Sequence, residues 1–191
     1  MTNLATLDLG APGWVLRAWR EADAEALARH ANNPAVWRNM SEGFPHPYTL
    51  DVARHWVRQG HIDIGGDHWA VALGDEAVGG CGISPRSGGF RCNAEIGYWL
   101  AQPHWGRGIG TRVARVLTER AFADPEITRV FAPVHAYNPA SVRVLEHCGF
   151  VREGVMRLSA LKAGTVIDRI LMARYRPGVQ PGVPALPALA I

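Results

Sequence analysis

The chain has 191 residues, enough for one domain with a full hydrophobic core. Hydrophobic residues make up 48% and charged residues 19%, a mixture that excludes a disordered or low-complexity protein. The net charge of +3 suits an anionic small ligand, but no basic run or RNA-binding signature accompanies it, so nucleic acid is not an expected partner.

Three cysteines, Cys81, Cys92 and Cys148, form an odd set without CxxC spacing, which reads as free thiols rather than disulfides or a zinc site. Lys162 is the only lysine among twenty basic residues. The N-terminus has no basic region leading into an apolar core. No apolar run approaches the roughly 20 residues that span a bilayer. The expectation is a cytoplasmic protein with no membrane partner.

Residues 1–12 read as a loose lead-in, and residues 13–176 as a single domain. Trp14 to Trp19 is a first strand. A helix follows from Glu21, with Ala24, Leu27, Ala28 and Ala31 at helical spacing, and Asn32-Asn33-Pro34 stops it. Residues 34–48 are aromatic and broken by proline, so they read as irregular. Thr49 caps a second helix over Leu50 to Val57, with Asp51 in its first turn. His68 to Leu73 and Ala77 to Ile83 are strands joined by the hairpin signal Gly74-Asp75-Glu76. Cys92 to Leu100 is a strand, followed by a turn on Pro103 and a long helix from Gly108 to Ala123. Arg129 to Val134 is the next strand. Asn138-Pro139 opens a short helix that ends at Gly149. Val151 to Leu161 and Thr165 to Tyr175 make a closing hairpin. Residues 177–191 read as a proline-rich, flexible tail. The sum is an α/β fold: one mixed sheet of about seven strands with helices on both faces.

The stretch EIGYWLAQPHWGRGIGT, Glu95 to Thr111, carries the chemistry. A strand that runs into glycines and then a helix holds phosphate, because the first helical N–H groups are free and glycine lets the backbone approach. A dinucleotide fold wants GxGxxG in an early βαβ unit, whereas Gly106, Gly108 and Gly110 give GxGxG in mid-chain. A P-loop wants Gly-Lys-Ser/Thr, and the single lysine lies elsewhere.

The combination of LRAWREAD, EIGYWL, HWGRGIGT, Asn138-Pro139-Ala140-Ser141 and HCGF resembles the GNAT superfamily of acyl-CoA-dependent N-acetyltransferases, and within it the RimJ/RimL branch, over roughly residues 13–175. The resemblance implies a splayed central strand pair, with the strand at 92–100 parting from that at 129–135. It implies acetyl-CoA as co-substrate; separately, His46, His61, His68, His104, His135 and His147 lack ligand-like spacing, so no metal is expected. The pyrophosphate falls to the backbone of Gly106, Arg107, Gly108, Ile109, Gly110 and Thr111, with Trp105 either packing under the turn or marking the branch. The pantetheine arm falls to Trp99, Leu100, Asn138 and Ser141, and the 3′-phosphate to Arg112 or Arg143. The branch acetylates protein N-termini. A small-molecule amine such as a polyamine, amino acid or aminoglycoside is the alternative acceptor, and an acyl-CoA-binding module without turnover is the alternative outside the enzymes.

The amine must be neutral to attack, and a protein α-amine has a pKa of roughly 8 against about 10.4 for lysine. Glu95 is the first candidate base; the other reading of it is a surface partner for an arginine. His135, at the end of the splayed strand, is the second. Many superfamily members place a tyrosine acid late in the short helix, but that position here is Leu145, so Ser141 is the candidate donor to the thiolate. Asn138 can cap its helix as well as bond pantetheine. Trp37, Phe44, His46 and Tyr48 could wall the acceptor site, or some of them belong to the core, with Glu42, Glu153 or Asp168 holding the amine; Asp168 could equally fix the hairpin. An exposed last strand could pair across a two-fold axis to give a homodimer.

Overall fold

A computed structural model of the chain describes residues 4–182. Eight strands form one sheet in the order β1-β2-β3-β4-β5-β6-β8-β7. They are β1 (Leu7–Asp8), β2 (Trp14–Arg17), β3 (Asp67–Leu73), β4 (Glu76–Pro85), β5 (Asn93–Leu100), β6 (Arg129–His135), β7 (Val151–Lys162) and β8 (Thr165–Tyr175). All neighbours run antiparallel except β5 and β6. Seven strands match the sequence reading. The eighth, β1, lies in the expected loose lead-in: Leu7 pairs with Leu16, and Leu9 is buried, so apolar side chains dock this segment. Residues 177–182 of the expected tail form no helix or strand, and 183–191 lie outside the described residues.

Helices α1 (Ala24–Ala31), α2 (Pro34–Trp37), α3 (Leu50–His55) and the single turn α4 (His61–Asp63) fill the connection between β2 and β3. α3 reaches α4 through a widened turn at Trp56–Gly60. The segment 34–48 is less irregular than its prolines suggest. Asn33 accepts the Ala35 N–H and Pro34 starts α2, the preferred arrangement at a helix N-terminus. α5 (Ile109–Phe122) joins β5 to β6, and α6 (Pro139–Glu146) joins β6 to β7. Among the described residues no helix is long and apolar enough to cross a membrane.

Two cores result, one on each face. Ile109, Val113, Leu117 and Leu145 of α5 and α6 pack on Ile96, Leu100, Val130, Ala132, Val134 and Met172. On the other face Leu27, Ala31, Tyr48, Ala53 and Val57 pack on Trp19, Ala70 and Ala77, with Trp99 and Phe44 at the margin. That second core covers only the β2–β4 side of the sheet, so among the described residues no helix covers the same face of β5, β6, β8 and β7.

The parallel β5–β6 ladder has three pairs, Asn93–Arg129, Ala94–Val130 and Glu95–Phe131, and then stops. Backbone alternation explains why. Cys92 accepts from Arg129, and Ala101 donates to Val78 on β4, so even-numbered residues of β5 turn their backbone groups toward β6. Thr128 accepts from Arg176 and Ala136 donates to Asp168, so odd-numbered residues of β6 turn toward β5. The next rung would run from residue 133 to the Ile96 carbonyl, and Pro133 has no N–H. The strands part there, and a gap opens toward their C-terminal ends.

The first turn of the chain is locked by a buried ion pair. Arg17 donates to both Asp23 carboxylate oxygens at 2.7 and 2.8 Å and to the Asp75 carbonyl at 2.7 Å, joining β2, α1 and the β3–β4 hairpin. Arg17→Met leaves the Asp23 carboxylate buried and uncompensated and is expected to cost about 3–5 kcal/mol. Arg17→Met/Asp23→Leu should recover part of that loss. Urea unfolding of the wild type and the two variants checks both statements.

Candidate active site

The turn after β5 is a cradle of backbone donors. Gly106 and Gly108 sit at φ 74° and 75°, a region that costs any residue with a Cβ, and Gly108 is the N-cap of α5. The first helical bond runs from the Arg112 N–H to the Gly108 carbonyl. The six N–H groups from Gly106 to Thr111 have no partner among the described residues. They stand at the positive end of a 14-residue helix. Arg107 is exposed beside them. Trp105, 42% exposed, donates its indole N–H to the Leu100 carbonyl at 2.8 Å, which staples the turn to the end of β5. Arg112 is committed to the Leu9 and Gly10 carbonyls at 3.2 and 2.6 Å, whereas Arg143 on α6 is exposed.

The gap corrects the expectation for Trp99 and narrows that for Leu100 to its N–H. Trp99 pairs with Gly80, so its backbone groups face β4 rather than the gap. The Leu100 carbonyl is taken by Trp105. What faces the gap is the Ile96 carbonyl, both backbone groups of Tyr98 and the Leu100 N–H. Gly97 leaves open space on the helix-free face, where a Cβ would meet nothing within 4 Å.

On the α5/α6 side, the Tyr98 and Ser141 hydroxyls meet at 3.0 Å. Burial pushes the Tyr98 pKa up, and the Ser141 contact works against it. Asn138 accepts the Ser141 N–H at 3.2 Å, which starts α6 and aims Ser141 at the strand. Sequence reasoning singled out Asn138 and Ser141 and missed Tyr98. The signal was present, because Tyr98 falls on the strand face opposite Glu95 and so on the side of the following helices.

On the helix-free face, Glu95 forms an ion pair with Arg86, the surface role that was its second reading. The Arg86 and Arg129 guanidinium carbons lie 5.3 and 4.6 Å from the Phe131 ring centre, and Arg129 pairs with Glu153. Further toward the strand ends, Trp37 stacks on His46 at 4.9 Å, and Lys162 Nζ lies 4.0 Å from the Trp37 ring centre. Phe44 sits between Tyr48 and Trp99, at 5.0 and 5.9 Å. Tyr48 itself is 4% exposed and belongs to the core, so it is not free to wall an acceptor. Asp168 accepts the Leu158 N–H at 2.8 Å, holding a bulge where Leu158 takes φ 49°. Glu42 accepts the Ala163 N–H at 3.1 Å. The three carboxylates expected to hold an amine are thus engaged by the protein, Glu153 with Arg129 and Tyr175.

A family model described as an acetyltransferase (GNAT) domain matches residues 14–151. The chain belongs to the GNAT acetyltransferase family. It is 42% identical over 153 residues to YdaF of Bacillus subtilis, a candidate ribosomal N-acetyltransferase, covering 74% of this chain and 80% of YdaF. It is 28% identical over 162 residues to p20 of Bacillus licheniformis, an uncharacterized N-acetyltransferase, covering 80% and 87%. The structure of RimL, a ribosomal L7/L12 α-N-protein acetyltransferase, in complex with coenzyme A superposes with TM-score 0.76 at 22% identity, over 90% of this chain and 98% of that one. The protein is an acetyl-CoA-dependent N-acetyltransferase.

For a GNAT enzyme the decisive local feature is the unzipped strand pair. Replacing Pro133 by valine supplies the missing N–H at the Ile96 carbonyl and lets the ladder run on. Pro133→Val is expected to stay folded and to lose most of the melting-temperature rise that saturating coenzyme A gives the wild type. Differential scanning fluorimetry with and without coenzyme A reads the difference.

Proposed function

We propose that this enzyme moves the acetyl group of acetyl-CoA to the α-amine of a protein N-terminus, by direct attack in a ternary complex. One observation carries the reading: six unpartnered N–H groups, Gly106 to Thr111, stand at the mouth of an open strand gap. The pyrophosphate takes those donors. The pantetheine arm enters as a pseudo-strand against the Ile96 carbonyl and both backbone groups of Tyr98, which otherwise stay unpaired at a cost of about 1–3 kcal/mol each. The side-chain amide of Asn138 lies beside this path, and Arg143 is the arginine free to meet the 3′-phosphate. The Tyr98 N–H is the donor nearest a developing oxyanion.

In the transfer step the amine nitrogen bonds to the acetyl carbon, the carbon–sulfur bond breaks, and the electron pair leaves on sulfur. Ser141, backed by the Tyr98 hydroxyl, gives the thiolate its proton. The Glu95 carboxylate, paired with Arg86 at the foot of the gap, stabilises the cationic nitrogen. Trp37 and Phe44 form the aromatic wall for the acceptor. A cytoplasmic setting suits the three unpaired cysteines.

Among small amines, the charge around the acceptor face argues against polyamines. Arg38, Lys162 and Arg169 stand there without a carboxylate partner within ion-pair distance among the described residues. A single ammonium on a peptide end fits such a face better than a chain of ammonium groups.

Free-thiol release from acetyl-CoA, measured side by side with N-terminal peptides, spermidine and aminoglycosides, tests this. Peptides should turn over and spermidine should be much slower. Ser141→Ala should lower kcat by about 10-fold, and Ser141→Ala/Tyr98→Phe by about 100-fold, the low end of general-acid contributions. A melting-temperature rise with acetyl-CoA but no thiol release with any amine would make the chain a binding module. No rise at all would remove acetyl-CoA from the account.

A further inference from the structure

β6 ends at His135, an almost fully buried residue at the open end of the gap. Val130, Ala132 and Val134 pack into the α5/α6 core, so His135 projects from the opposite, helix-free face, the one that carries Glu95, Gly97 and Trp99. Its surroundings fix its tautomer. The Tyr137 hydroxyl lies 2.7 Å from the Arg38 carbonyl and 2.9 Å from His135 Nδ1. A carbonyl only accepts, so the one hydroxyl proton of Tyr137 goes to Arg38. The Tyr137 oxygen must then accept from Nδ1–H. The ring proton is thereby held on Nδ1, and Nε2 carries the lone pair. Nε2 has no partner among the described residues.

We propose that His135 Nε2 is the base that takes the proton from the attacking amine, with Tyr137 as the residue that positions it. This rests on the acetyl-transfer reading above and replaces Glu95 in the base role. As the nitrogen–carbon bond forms and the carbon–sulfur bond breaks, the ammonium nitrogen gives one proton to Nε2, leaving an imidazolium. The imidazolium later returns that proton to water. The sulfur takes its own proton from the Ser141–Tyr98 pair, which refills from water. Glu95 is a poorer candidate because its carboxylate is already engaged by the Arg86 guanidinium.

The charges around the ring keep it ready to accept. Burial lowers its pKa below the ordinary histidine value, and the positive charges of Lys162 on β7 and Arg169, its cross-strand neighbour on β8, push in the same direction. The contact with the Arg38 backbone works the other way. Arg38 also lies over the Tyr137 ring, at 5.0 Å. Of the carboxylates nearby, Asp168 accepts from Leu158, and Glu42 faces Lys162 rather than the ring. His135 is therefore neutral at pH 7, and its basic form is lost only as pH falls through a value below about 6.5.

The test is kcat/KM against pH for a peptide acceptor, with acetyl-CoA binding followed by melting temperature. Wild type should show an acidic limb with its midpoint below the usual histidine range. His135→Gln should lower kcat/KM at pH 7 by about 100-fold and abolish that limb, while the melting-temperature rise with acetyl-CoA persists. Tyr137→Phe should keep the limb but move it to lower pH, since the imidazolium loses an acceptor. It also serves if His135→Gln does not fold. Glu95→Gln should keep the limb. A His135→Gln enzyme with wild-type rate and limb, or a Tyr137→Phe limb that does not move, overturns the inference and leaves acetyl transfer standing. Wild type that releases no thiol with any amine overturns both.

Discussion

Everything at this site depends on where one parallel ladder stops. β5 and β6 share three pairs and then separate, because Pro133 presents no donor to the Ile96 carbonyl. In a parallel sheet buried on both faces, such a break would leave costly unpaired groups in the dark. Here it opens at the C-terminal end of the strands, where a ligand chain can complete the pairing. The same break frees Tyr98 and Ile96 on one side and turns His135 into the rim of the opening on the other.

The two faces of the sheet then divide the chemistry. α5 and α6 cover one face and bring their N-termini to the gap, supplying the donor cradle at Gly106 to Thr111 and the Ser141–Tyr98 pair. The opposite face is covered only over β2 to β4, by α1 and α3. Beyond that cover lies the proposed acceptor side, bounded by the 34–48 segment and the β7–β8 hairpin. In the mechanism proposed above, an amine approaching from this side and a thiol leaving on the other meet through the gap, so acid and base need not share one pocket.

Most of the fold was legible in the sequence because it is written in local signals. The alternation in Glu95 to Leu100, the glycines after it and the Asn138-Pro139 start of α6 each mark their element without help from distant residues. The misses were of tertiary origin. β1 was invisible because two residues carry no period, and only Leu16 across the sheet reveals the pairing. Tyr48 was open to two readings, acceptor wall or core, and Phe44 and the α1/α3 core bury it. The assignment of Trp99 failed on parity, since strand alternation fixes which residues face the gap only once the partner strand is known. Pro133 could have been read: a proline inside a strand otherwise made of FA and VH is a missing rung. Tyr137 could not, because its role depends on the Arg38 carbonyl, 99 positions away in the chain.

The single lysine gives a last constraint on the acceptor side. Lys162 Nζ lies over the Trp37 ring and donates to the Ser41 carbonyl at 3.3 Å, while the neighbouring Ala163 N–H meets Glu42. The hairpin tip is thus tied to the 34–48 segment by a cation that is 5% exposed. Burial lowers its pKa, which on its own would make it a better nucleophile. Its place under Trp37 keeps that amine from solvent, and every other side-chain cation apart from histidine is a guanidinium, which stays protonated and does not attack thioesters. An enzyme that delivers acetyl groups to amines meets its own amines at the highest local concentration. In the proposed acceptor site the one side-chain amine ties the hairpin to the 34–48 segment, and the other positive charges there, Arg38 and Arg169, are guanidinium groups that are not acetylated in turn.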